Sequence, residues 1–263
     1  MTLGWRRELL RAWRATQLVA HLLAGLTLAP LLPLLASERF GGGRRRDDAL
    51  VRWWLRGVLR ILNVRVRIEG RVESDPTLFV ANHISWLDIP VLRAACDAGF
   101  LAKSEVRRWP LIGGMAALAG TVFFERGTPD ASRAAADTLT WRLARGRSVL
   151  VFPEGTTSDG REVRHFHGRL YQAAIRLEAR VQAVAIRYLG AHGLHPHVPF
   201  LGQDDLASHL WRLLGEREIR AELYFCPPHA SAGGERRRLA EATRDQVLAA
   251  LGLDQPARTN ALP

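Results

Sequence analysis

His83 and Asp88 lie five positions apart in the stretch from Phe79 to Leu92, FVANHISWLDIPVL, and are residue types able to move a proton together. An imidazole can accept a proton near neutral pH, and a carboxylate bonded to one ring nitrogen leaves the other free to act as a base. The apolar run Leu78 to Ala81 should end as a strand just before His83, and Asp88 precedes Ile89 and Pro90, where a helix can begin. Five positions along an ideal helix turn through about 140°, so the two side chains would not share a helical face. They meet only if Ile84 to Leu87 form a turn that folds the aspartate back onto the ring. Otherwise Asp88 is an N-cap before a first-turn proline and His83 is an ordinary turn histidine.

A second candidate stretch is VFPEGTTSDG, Val151 to Gly160. A strand leaving into Pro-Glu-Gly-Thr makes a tight turn whose backbone donors, hydroxyls and Glu154 carboxylate could hold a polar substrate at a sheet edge. The bland alternative is a strand exit with Glu154 in solvent. Between the two stretches, Lys103 and Arg126 are cations beside strand-like runs, and Gly113, Gly114 and Gly120 would allow close backbone approach. Lys103 is the sole lysine of the chain. His192, His195 and His197 share a glycine and proline loop with no carboxylate or cysteine nearby in sequence, so no metal site is expected there. His165 and His167 flank Phe166 and read as a polar loop, with a place beside the substrate as the alternative.

The elements that must position these residues follow from periodicity. VRVRIEG (Val64 to Gly70) alternates as a strand, and TLFVAN, TVFFE, SVLVFPEG and VQAVAIRY read as further strands. LVRWWLRGVLRIL, DASRAAADTLTWRLARG, HGRLYQAAIRLEAR and ERRRLAEATRDQVLAALG have helical spacing, the second with a glycine stop at Gly146. Interleaved strands and helices predict an α/β layer architecture with its site at the carboxyl ends of strands.

The N-terminal part has another character. Ala15 to Ser37 contains no Asp, Glu, Lys or Arg, and arginines flank it on both sides. It is long enough for the roughly 20 residues of a membrane-spanning helix, but Pro30, Pro33 and His21 favour a helix lying in the interface as strongly as a single pass. The next helix carries Arg52, Arg56 and Arg60 in a stripe beside Trp53 and Trp54, a combination suited to an anionic headgroup region. We therefore divide the chain into an anchoring segment (1–49), an α/β domain (50–252) and a flexible tail (253–263). The net charge of +11 calls for an acidic partner. Tryptophan and leucine interleaved with the arginines point to an anionic membrane surface rather than to nucleic acid. The two cysteines, Cys96 and Cys226, lack the spacing of a disulfide framework or zinc site, which fits a reducing compartment.

In order and spacing, the NHISWLD, AKSEV…P.IG……G..F..R and FPEGT blocks resemble the glycerolipid acyltransferases, typified by bacterial 1-acyl-glycerol-3-phosphate acyltransferases, from about Arg52 to about Pro228. The resemblance implies a single acyltransferase domain with a mixed central sheet flanked by helices, His83 as general base, and Asp88 as the residue that orients it. It implies that Lys103, Arg126, Glu154, Gly155 and Thr156 bind the acceptor. It also implies acyl transfer from an acyl-CoA or acyl carrier protein thioester to a lysolipid hydroxyl at the cytoplasmic face of the cell membrane, with no bound cofactor. The leading acceptor is 1-acyl-glycerol-3-phosphate. Thr157 stands where many phosphatidate-forming members have arginine, and FPEGTTSDG is similar to members that acylate other lysolipids, including lyso-ornithine lipid, which is the alternative acceptor. Ala183 replaces a common proline, and Glu125 a frequent aspartate. A lipid-binding protein without turnover is the reading of a different class.

Overall fold

Strand β2 (Thr77–Ala81) sets the frame. All five of its residues are buried, and they divide by parity: Leu78 and Val80 pack into one apolar cluster, Phe79 and Ala81 into another. A strand buried on both faces must be an inner strand with helices above and below it. The structure is a computed structural model and describes residues 2–28, 43–104, 113, 121–124, 129–202 and 204–253.

Helices α1 (Thr2–Leu28) and α2 (Gly43–Ile61) come first, followed by β1 (Val64–Gly70), β2, α3 (Asp88–Ala95), β3 (Ala98–Lys103) and β4 (Val122–Phe124). Then come α4 (Pro129–Ala144), β5 (Ser148–Val151), a 3-10 turn (Gly168–Tyr171), α5 (Gln172–Arg176), β6 (Arg180–Gly190) and β7 (Gly193–Leu194). The last elements are α6 (Leu206–Leu214), β8 (Ile219–Phe225) and α7 (Arg236–Leu251). The sheet order is β1-β8-β6-β2-β5-β3-β4, with β7 as a short flap on β6. β2 is parallel to both β5 and β6, β3 is parallel to β5 and β4, and β8 runs antiparallel to β6 and parallel to β1. The carboxyl ends of β2, β3, β5 and β6 therefore face one edge, and the residues that follow β2 and β5 are brought side by side.

The α/β architecture and mixed sheet expected from the sequence are present. One helical expectation is corrected. HGRLYQAAIRLEAR forms only the 3-10 turn and the five-residue α5, because the chain turns at Glu178 (φ 51°) to enter β6. One sheet face is covered by residues of α2, α3 and α6, including Leu59, Leu92 and Leu213; the other by α4, α5 and α7, through Leu139, Ala173 and Val247.

Helix α1 lies against α2 and α6. The His21 ring stacks on Trp54 at 5.1 Å and donates from Nε2 to the Trp54 carbonyl (2.9 Å), while the Trp54 indole N–H donates to the His21 carbonyl (3.3 Å). Gly57 makes this approach possible, since a Cβ there would meet the His21 ring at 2.4 Å. Arg14, buried, donates to the carbonyls of Leu214, the last residue of α6, and of Glu216 just beyond it, satisfying acceptors a helix terminus leaves open. Glu216 also pairs with Arg7 (2.7 Å) and His197 (2.9 Å), and His195 lies 3.5 Å away. The histidine loop thus meets a carboxylate that lies distant in sequence. No helix among the described residues is long and apolar enough to cross a membrane. Pro30, Pro33, Arg126, Gly114, Gly120 and residues 254–263 fall outside the described part.

Candidate active site

The site begins where β2 stops. Asn82 extends its side-chain amide to Ile186 of β6, donating to its carbonyl (2.9 Å) and accepting from its N–H (2.7 Å). A side chain thus continues the ladder while the main chain leaves the sheet. The next residues form a tight turn, in which the Asp88 N–H donates to the Ser85 carbonyl (3.1 Å) and the Ile89 N–H to the Trp86 carbonyl (3.3 Å). This is the turn that the pair requires. His83 Nδ1 lies 2.7 Å from Asp88 Oδ2.

Asp88 does not cap its own helix. Its Oδ2 reaches back to accept the N–H groups of Ile84 (2.8 Å) and Ser85 (3.1 Å), and its Oδ1 accepts the Tyr188 hydroxyl (2.8 Å). The carboxylate is fully buried. A buried carboxylate is tolerable only with such partners, and four donors meet this one. With Nδ1–H given to Asp88, the lone pair of His83 resides on Nε2, which has no hydrogen-bond partner among the described residues. The His83 side chain is 19% exposed, and its ring stacks on Phe152 at 3.9 Å and 11°. The arrangement is a fixed imidazole with one basic nitrogen open.

Strand parity explains why these groups coincide. Phe79, Ala81 and His83 alternate onto the α3 face; so do Leu150 in β5 and Phe152 just after it, and Val184, Ile186 and Tyr188 along β6.

The loop after β5 supports the histidine from behind. Glu154 Oε1 accepts the His83 backbone N–H (2.8 Å) and Oε2 accepts the Arg164 N–H (3.0 Å). Burial pushes the Glu154 carboxyl above its ordinary value, against the opposing pull of those two amides. Each oxygen thus accepts one main-chain N–H, and the side chain is buried. Gly155 turns the chain at φ 75°, and Thr156 is exposed beside it. The Thr157 hydroxyl donates to the Phe200 carbonyl, the Phe200 N–H to the Ile84 carbonyl (3.0 Å), and the Ser158 N–H to the His83 carbonyl (2.8 Å). Three loops are stitched around the His83–Asp88 turn. A fourth tie comes from α6, where buried His209 accepts the Trp86 indole N–H at Nδ1 (3.0 Å) and offers Nε2–H to the carbonyls of Val198 and Pro199.

Lys103 is the last residue of β3, at the same sheet edge, but its side chain lies outside the described part, as does all of Arg126. His167 ties its N–H to the Pro153 carbonyl (3.0 Å), and its exposed ring passes near Gly155. No group of three or more His, Cys, Asp or Glu suited to a metal occurs among the described residues. Sequence reasoning passed over Tyr188, Phe152 as a ring platform, and His209. The alternation of VQAVAIRY could have placed Tyr188 on the face of its even-numbered neighbours, but the register of β6 on β2 is not written in either strand.

A family model described as Acyltransferase matches residues 63–187, which contain His83, Asp88 and Glu154. A lyso-ornithine lipid O-acyltransferase of Pseudomonas aeruginosa is 42% identical over 259 residues, covering 96% of this chain and 97% of that protein. The chain belongs to the acyltransferase family. Another acyltransferase similar to it, the 1-acyl-sn-glycerol-3-phosphate acyltransferase of Neisseria meningitidis, is 33% identical over 76% of this chain and 79% of that one. The crystal structure of the 1-acyl-sn-glycerophosphate acyltransferase of Thermotoga maritima superposes with a TM-score of 0.69 over 94% of this chain and 95% of that one. At 20% identity, that likeness speaks for the acyltransferase fold alone.

Proposed function

We propose that this acyltransferase moves a fatty acyl group from an acyl thioester to the free hydroxyl of a lysolipid, with lyso-ornithine lipid as the favoured acceptor. The observation that carries the chemistry is the 2.7 Å contact between His83 Nδ1 and Asp88 Oδ2, which leaves Nε2 as the base. Nε2 takes the acceptor hydroxyl proton as the oxygen attacks the thioester carbonyl, and the buried Asp88 carboxylate stabilises the imidazolium. Collapse of the tetrahedral intermediate expels the thiolate of coenzyme A or acyl carrier protein, which receives the proton from His83. The sequence of steps needs no acyl-enzyme, resident cofactor or metal.

The choice of acceptor rests on the Pseudomonas aeruginosa relative, matched almost end to end, and on Thr157, whose hydroxyl is committed to the Phe200 carbonyl and brings no cation to the loop. This reverses the order in which the two acceptors stand on sequence alone. The Neisseria relative keeps 1-acyl-glycerol-3-phosphate as the second reading, with Lys103, Arg126, Gly155 and Thr156 as its binding groups. Glu154, in either case, holds the His83 main chain.

The enzyme meets its acceptor on an anionic membrane surface, at the cytoplasmic face. Trp5, Leu9, Trp13, Val19, Leu23 and Leu26 are exposed on α1 and fall within an arc of about 140° at 100° per residue, opposite buried Arg14 and Leu18. An apolar face of that length beside a domain rich in arginine suits a helix lying in the headgroup layer.

The deciding experiment supplies labelled acyl donors to purified protein in mixed micelles, with lyso-ornithine lipid and 1-acyl-glycerol-3-phosphate in parallel and His83→Ala as control. Product from lyso-ornithine lipid alone, lost in the variant, supports the favoured acceptor. Product from the phosphate acceptor alone reverses the order, and transfer that survives in His83→Ala removes the base assignment.

A further inference from the structure

Three of the four donors to Asp88 are local and all converge on Oδ2: His83 Nδ1–H and the N–H groups of Ile84 and Ser85. Oδ1 has a single donor among the described residues, the Tyr188 hydroxyl, which comes from β6, 100 positions along the chain. Both Asp88 and Tyr188 are buried, so water does not replace that bond. Without it the carboxylate is pinned at one oxygen only. It can then rotate about its terminal torsion, and its charge is concentrated on the imidazole.

We propose that Tyr188 is a positioning residue for the reaction, fixing the Asp88 carboxylate and, by drawing charge onto Oδ1, setting the basicity of His83. The inference rests on the reading of His83 as the base. It deepens that reading by adding a third member, on a different strand, to the pair. The phenol is suited to the part because burial, first, and the neighbouring carboxylate, second, push its ionisation far above the usual range, so it stays a donor at every working pH. The charged or titratable groups facing the ring and its partner, among the described residues, are Asp88 itself, Tyr188 from β6 and Glu154 from the loop after β5. Glu154 acts on the His83 main chain and stays in place when Tyr188 is changed. Removing the Tyr188 hydroxyl leaves a more basic carboxylate, and the pair then holds its shared proton more tightly, whichever partner carries it.

The test is a ring-nitrogen NMR titration of the full chain, with the His83 signal assigned by its loss in His83→Gln. It compares the parent chain with Tyr188→Phe and with Tyr171→Phe. Tyr171 is a buried tyrosine bonded to Thr243 on the opposite sheet face, and its variant reports what the loss of any core hydroxyl does. Expected is an upward displacement of the His83 titration by about one unit in Tyr188→Phe, and none in Tyr171→Phe. The acid limb of kcat/KM should move by the same amount. A second version leaves the packing intact: 3-fluorotyrosine introduced into a Tyr171→Phe/Tyr224→Phe chain, where Tyr188 is the remaining tyrosine, makes a stronger donor and should move the titration down. An unchanged His83 titration in both Tyr188→Phe and the fluorinated chain overturns the proposal. Because the titration reads protons rather than product, a shifted titration without transfer to either lipid would sink the acceptor assignment and leave Tyr188 in its role.

Discussion

His83 can serve as a base only while its Nδ1–H stays hydrogen-bonded to Asp88, and this separates the expected behaviour of neighbouring variants. His83→Ala should lower kcat by about a thousandfold, within the usual span for loss of a general base. Asp88→Asn keeps an oxygen for the Ile84 and Ser85 amides but removes the charge that stabilises the imidazolium. Its kcat should fall by about a hundredfold or more with the circular dichroism spectrum unchanged. Glu154→Gln leaves one backbone N–H facing an NH2 group, at a cost of about 1–3 kcal/mol in unfolding free energy. Denaturant melts measure that cost. The accompanying kinetics separate two roles, since a residue that holds the His83 main chain changes kcat while KM for the acceptor stays put, whereas a residue that touches the acceptor raises KM. The sequence made His83 and Asp88 legible because proton chemistry needs those residue types. It gave no sign that Glu154 turns inward, because a glutamate bound to two backbone amides and one bound to a substrate look alike as letters.

At the scale of elements, the strands leading into the motifs were legible as short apolar runs, and the parallel pairing of β2 with β5 explains why distant motifs share a site. β8, not among the strands read from the sequence, alternates with Ile219, Ala221, Leu223 and Phe225 buried, and its place between β1 and β6 is a matter of tertiary pairing that no local pattern encodes. Helix α1 shows the opposite limit. Its uncharged run was plain, but which face meets the protein depends on His21 finding Trp54 and Gly57 of α2 and on Arg14 finding the end of α6. The exposed face yields a direct prediction. Leu9→Glu/Trp13→Glu removes two large apolar contacts, each worth about 1.5–3 kcal/mol when fully buried, so partitioning to anionic vesicles should fall at least about tenfold in a sedimentation assay. The same variant should retain transfer to a short-chain, fully soluble acceptor.

Across the whole molecule, acid should loosen the fold through histidines kept neutral by burial. His209 accepts from Trp86 with one nitrogen and donates with the other, so a second ring proton would set donor against donor. Burial is the main cause lowering its affinity for a proton; Arg212 nearby lowers it further, and the Val198 and Pro199 carbonyls and Asp204 oppose. His195 is lowered in the same direction, again chiefly by burial. The unfolded chain therefore binds more protons than the folded one below the ordinary histidine value of about 6.5, and stability should be level above that pH and decline as pH falls beneath it. Melting temperature against pH measures the decline, and His209→Gln, which can still accept and donate, should reduce its slope. Vesicle binding should respond to salt as well, since part of the attraction comes from a net charge of +11 screened over about 8 Å at physiological ionic strength.

The sheet order has a consequence for how the protein is made. β8 separates β1 from β6, so β1 cannot join the sheet, nor β6 gain its second neighbour, until residues 219–225 have been synthesised. Helices α1 and α2 are translated long before that. The α1 face proposed to meet a membrane is therefore complete while the sheet is still open, and a ribosome stalled ahead of β8 would leave β1 unpaired and β6 short of a neighbour.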